Sequence, residues 1–194
     1  MSGVVADNVG RSSGLVKAAG GGAWTLIGTS EASNSATLTV TGLDSTYDTY
    51  AIAIADAVPA TDAATPFLRL GDSGGFDSGS SDYSWTSDRV NHSGPASNLA
   101  KDESDSEIQF TDDGIGSAAG EGFGAVAFLH GPGDGTVRSM ITGQANMFNN
   151  STAPNLLSFS GVRNAVITHT QIQFLFSSGN VSTGRLTVWG ISHA

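Results

Sequence analysis

The sequence predicts an all-β protein: an antiparallel β-sandwich of jelly-roll topology, preceded by a short flexible N-terminal arm. Three observations predict it. From Trp24 onward the apolar residues recur at every second position, the signature of strands with one buried face. The runs are short and divided by connections rich in Gly, Asp, Asn and Ser, which break regular structure. No segment sustains a 3.6-residue apolar period, so long helices are not expected.

Residues 1–23 come first and differ from the rest. They are rich in Gly, Ser and Ala and end in the hinge Gly20, Gly21 and Gly22, with too few apolar residues to bury a face. They are read as an arm that orders against a partner, and residues 24–194 as the sandwich domain. "WTLIGTSE" and "ATLTVTG" then alternate apolar residues with Thr or Ser. "TYAIAIADAVP" sets Tyr50, Ile52 and Ile54 on one face and small alanines on the other, until Pro59 stops the ladder. "PFLRL", "YSWTSDR", "EIQF", "FGAVAFLHG", "TVRSMITGQ", "LLSFSGV", "TQIQFLFSS" and "GRLTVWGI" continue the pattern. "GPGDG" at 131–135 marks a hairpin turn, and "SSGNVSTG" reads as the turn of a closing hairpin. Residues 71–82 and 91–106 read as two long connections.

Composition narrows the function classes. A chain of 194 residues with no cysteine must be held by its core, and it has no disulfide, thiolate metal site or thiol nucleophile. The net charge of −10 argues against nucleic-acid binding, which draws its affinity from clustered Lys and Arg. That charge is uneven: residues 1–23 carry +1 and the remainder −11. "MSGVVADNVG" lacks the basic-then-apolar order of a secretory signal, and stretches such as "YAIAIA" are too short to span a bilayer. A soluble protein without membrane insertion is expected.

Motifs that suggest chemistry have simpler readings. "GDSGG" at 71–75 matches a serine-protease nucleophile segment and the G-x-S-x-G elbow. The protease order needs a histidine upstream of Ser73, and the first histidine is His92. The elbow needs a helix after the serine, and "FDSGSSDYSW" cannot form one. The segment is therefore read as a loop, and no catalytic residue is expected. His92, His130, His169 and His193 have no metal-ligand spacing. Asp72, Asp77 and Asp82, then Asp102, Glu103, Asp105 and Glu107, are hard oxygen donors of the kind calcium takes; solvated loop charge is the preferred reading, and no cofactor is assigned. Asp77, Asp82, Tyr83 and Trp85 together read as a ligand-facing loop, because aromatic rings beside Asp and Ser can stack on a sugar and hydrogen-bond it. Core or intersubunit packing is the competing reading of the aromatics.

Three stretches carry a resemblance. "DNVGRSSGLVKA" resembles the short N-terminal segment of tailed-bacteriophage virion structural proteins. "WTLIGTSEASNSATLTVTGLDSTYDTYAIAIADAVPATDAATPFLRLGDSGGFDSGSSDYSW" is similar to the same group in its order: Trp, a Ser/Thr strand, Asp-x-Tyr, an apolar strand, Pro-Ala-Thr-Asp and a Gly/Ser/Asp loop. "IQFLFSSGNVSTGRLTVWGI" is similar to the group's closing hairpin. The middle of the chain, about 90–150, is less distinctive.

The resemblance implies a non-enzymatic β-sandwich on the exterior surface of a virion, as a capsid decoration, head-fibre or tail-fibre module. It implies a homotrimer that contacts other virion proteins, capsid or tail, through the arm, with Asn8, Arg11, Leu15 and Lys17 as attachment residues. The alternative is a receptor- or glycan-binding module at a fibre tip, recognising a host-surface glycan through the loops at 71–91 and 112–122.

Overall fold

A computed structural model describes residues 24–92 and 97–192. The predicted arm, with Asn8, Arg11, Leu15 and Lys17, lies outside the described residues.

The alternating pattern folds into thirteen strands. They are β1 (Trp24–Glu31), β2 (Leu38–Thr41), β3 (Thr49–Pro59), β4 (Pro66–Asp72), β5 (Gly75–Phe76), β6 (Tyr83–Asn91) and β7 (Ser97–Asp105). After these come β8 (Ile108–Gln109), β9 (Gly122–His130), β10 (Met140–Phe148), β11 (Pro154–Arg163), β12 (Gln171–Phe176) and β13 (Val181–Ile191). An eight-stranded sheet runs β1-β13-β3-β9-β10-β11-β6-β7. A second sheet runs β2-β12-β4-β5, with β8 also paired to β4.

The pairing is nested: β1 with β13, β2 with β12, β3 with β9 and β4 with β8, all antiparallel. These four pairs lie alternately in the larger and the smaller sheet, as in one long hairpin rolled up, which is the jelly roll. Two insertions widen one sheet. β6 and β7 are inserted between β4 and β8, after the short β5 that stays on β4 in the smaller sheet, and the β10–β11 hairpin is inserted between β9 and β12. β9, β10, β11, β6 and β7 then run edge to edge.

The core is where the two inner faces meet. Tyr50, Ile52, Ile54, Leu186 and Val188 of the larger sheet pack with Leu38, Leu68, Leu70, Ile172 and Phe174 of the smaller one. At its centre the Phe110 ring lies 4.5 Å from Phe159 and 5.2 Å from Phe123 in edge-on contacts. Gly161 is required by this packing, since a Cβ there would lie 2.5 Å from Ile108 Cγ2. Near one end, Asp56 (φ 52°) and Gly184 (φ 138°) form facing irregularities in β3 and β13, and the ladder slips there.

Three expectations need correction. Residues 91–106 are not one long connection, because 97–105 form the edge strand β7. Lys101, Asp102 and Glu103 point to water, so an edge strand with little apolar content passed for a loop. "TVRSMITGQ" begins its strand only at Met140 and continues to Phe148. The closing segment is not a hairpin: β12 pairs with β2 and β4, and β13 with β1 and β3, so the turn at 177–180 carries the chain from one sheet to the other.

Candidate functional site

The loop read as ligand-facing is turned inward. In β6 the inward positions are Tyr83, Trp85 and Ser87, and both aromatic side chains are buried. The Tyr83 hydroxyl accepts the Leu70 N–H (2.9 Å) and shares its proton between the carbonyls of Leu70 (3.2 Å) and Asp77 (3.3 Å). It thereby ties β6 of one sheet to β4 of the other, and burial pushes its pKa well above the ordinary tyrosine value. Trp85 Nε1 donates to Asp105 on neighbouring β7 (2.8 Å). Neither ring is presented to a ligand.

Asp77 and Asp82 are spent on Arg163, at the end of β11. Arg163 Nε donates to Asp77 Oδ2 (2.7 Å), its terminal nitrogens reach the Asp82 carboxylate (2.9 Å) and carbonyl (3.0 Å), and its guanidinium lies 5.7 Å over the Tyr83 ring. The same Asp77 oxygen lies 3.3 Å from Nε2 of wholly buried His169, whose Nδ1 is 2.9 Å from the buried Ser139 hydroxyl. An ionised carboxylate only accepts, so the neutral ring donates from Nε2 to Asp77 and accepts the hydrogen bond of the Ser139 hydroxyl at Nδ1. Burial holds the His169 pKa below its usual value, and the hydrogen bond to Asp77 opposes that shift only in part.

Ser139, His169 and Asp77 are the residue types of a hydrolytic triad. Here serine and histidine are both sealed from solvent and the carboxylate already neutralises an arginine. A substrate has no approach to this serine. The cluster instead pins the segment 77–82 to β11 and to the chain leading into β12. Ser73 lies elsewhere, in the tight turn of the β4–β5 hairpin, where Asp72 Oδ1 accepts the Gly74 N–H (2.6 Å).

The other acids are similarly engaged. Glu107 pairs with Arg69 at 2.9 Å, and Arg89 meets Asp112 and Asp113. Asp113 also accepts from Asn149 and Asn155, which fixes part of the loop at 112–122. Among the described residues, no group of three or more His, Asp or Glu side chains could hold a metal ion.

What the structure leaves open is the outer face of the eight-stranded sheet. Pairing sets Trp24 and Leu26 of β1 beside Trp189 of β13, then Ala51 and Ala53 of β3, then Phe128 and Val126 of β9. Trp24 stands 6.1 Å from Trp189 and 6.3 Å from Phe128, forming an aromatic group on the surface. Trp24 is 50% exposed, Leu26 58%, Val126 62% and Phe128 40%. Across β10 and β11 the face sinks into a hollow of about 570 Å³ over Thr142, Ser158 and Ser160. At the bulged end of the sheet a groove of about 630 Å³ runs between Asp56, Glu121, Phe148 and Leu156.

This face escaped the sequence reading, although a signal was present. "GAVAFLH" and "YAIAIA" are apolar or small at consecutive positions rather than alternate ones. Strands of that kind are covered on both sides. In β9 one set of side chains enters the core, and the other, Val126 and Phe128, points outward.

The chain matches no family model, no curated protein and no solved structure.

Proposed function

We propose that this chain is a structural assembly module, a β-sandwich that works by docking rather than by catalysis. More particularly, we propose that it is an exterior component of a tailed-phage particle, a capsid decoration, head-fibre or tail-fibre module. The observation that carries the reading is the outer face of the eight-stranded sheet. Large apolar side chains stand exposed there on the central strand β9 and on β1, over a surface wider than the isolated apolar residues normal for a monomer. The polar constellations that imitate catalytic or ligand sites are absorbed in holding loops, which is what a rigid building block needs. The resemblance of residues 7–18 and 24–85 to phage virion proteins supports the location.

Electron microscopy of particles from the phage that encodes this chain, with gold-labelled antibody against it, tests the reading. Regular labelling of head or tail exteriors is expected. Particles that lack the label while the chain accumulates free in the lysate would contradict it.

A further inference from the structure

Resting on the docking role just proposed, we infer that the occupant of this face is a second copy of the same chain, related by a two-fold axis, in place of the homotrimer that the resemblance implies. The axis runs parallel to the strands, above the boundary between β9 and β10.

Charge favours a second copy. The chain carries a net −10, so two copies repel unless they meet where charge is absent. The outward positions of β9, β10 and β11, and of β3 from Thr49 to Ala55, contain no Asp, Glu, Lys or Arg. Charges begin at the margins, with Arg185 and Glu31 on one side and Asp88 and Lys101 on the other. A basic partner would find nothing to pair with in the middle of this face. An equally acidic one finds no repulsion.

Area favours it too. Eight strands about 4.8 Å apart and some nine residues long present roughly 1,000 Å², about half of it on the charge-free stretches of β3, β9, β10 and β11 as the core and the rest on the charged margins as a polar rim. A standard interface buries about 800 Å² on each partner.

Shape supplies the operation. The ridge of Val126 and Phe128 lies on β9, and the hollow lies immediately beside it over β10 and β11. Rotation about the β9–β10 boundary lays each ridge on the other copy's β10, with Val126 over Gln144 and Phe128 over Thr142. It also sets the small row Ala51 and Ala53 against the other copy's Ser160 and Ser158, so the sheets can approach to the ~10 Å of sandwich packing. Such a contact is isologous and closes on itself. At the rim of the hollow, Asp88 Oδ1 is buried without a hydrogen-bond partner among the described residues, and a hydroxyl-covered sheet brings donors to it.

Sedimentation of the full chain, alone and as two charge variants, tests the inference. The native chain is expected at twice the chain mass. Val126→Lys and Gln144→Glu, each shown to be folded by an unchanged far-ultraviolet circular dichroism spectrum and a cooperative melt, should each weaken association at least ~100-fold, as central contacts do. An equimolar mixture of the two should re-associate, since the ammonium introduced on β9 of one copy then faces the carboxylate introduced on β10 of the other. A native monomer, a native trimer, variants that associate normally, or a mixture that stays apart would each overturn it. The particle labelling above is read independently. A labelled particle bearing a monomer sinks this pairing alone, whereas a dimer absent from particles sinks the virion location alone.

Discussion

One carboxylate oxygen, Asp77 Oδ2, lies 2.7 Å from Arg163 Nε and 3.3 Å from His169 Nε2, and so joins a loop, the end of β11 and the approach to β12. Replacing Asp77 by Ala removes the acceptor from a nearly buried guanidinium, which Asp82 then holds alone. The expected loss is about 2–4 kcal/mol, the cost of leaving a buried charge half-paired. Urea denaturation measures it, and a change below ~0.5 kcal/mol would show that the cluster is not structural.

The pH dependence follows from the same cluster. In the unfolded chain His169 takes a proton near its ordinary value of 6.5, while burial among Ser139, Asp77 and Arg163 holds the folded value lower. Below 6.5 the unfolded state therefore binds more protons, and the stability contributed by the neutral ring falls as the pH drops toward the folded value. The melting temperature should be highest above pH 6.5 and should decline on acidification. His169→Gln should flatten that decline between pH 6.5 and 5, even if the variant melts lower throughout. An identical slope in the variant would assign the acid sensitivity to other groups.

Tyr83→Phe keeps the ring and deletes the oxygen that accepts the Leu70 N–H in the core. A buried donor left unsatisfied costs about 1–3 kcal/mol, so the variant should unfold at lower denaturant with an unchanged slope. Full stability would mean that Leu70 finds another acceptor.

The strands carried their periodicity plainly, and residues 49–59 form one strand with Tyr50, Ile52 and Ile54 inward, as the alternation implies. Other features depend on information that periodicity does not hold. β7 is a strand because β6 offers it a ladder, and nothing in "SNLAKDESD" needs burial. Turn residues between β12 and β13 announce a reversal but do not say which sheet receives the next strand. Tyr83 and Trp85 resemble a sugar-binding pair because Ser and Asp surround them; strand register, invisible in a list of neighbours, turned both rings inward. The partners of Asp77 and Asp82 stand some eighty or ninety residues along the chain, so their charges read as solvated until the fold brought Arg163 and His169 to them.

The absence of cysteine allows the most direct test of the face-to-face pairing. A single cysteine in place of Val126, on the outer face of the eight-stranded sheet, is treated with a short bis-maleimide, and a second variant places the cysteine at exposed Thr41 on the smaller sheet. Rapid cross-linking of the Val126→Cys chain to a covalent dimer, with the Thr41→Cys chain left single, is the result predicted. Equal cross-linking at both positions, or none at Val126→Cys, would contradict the account.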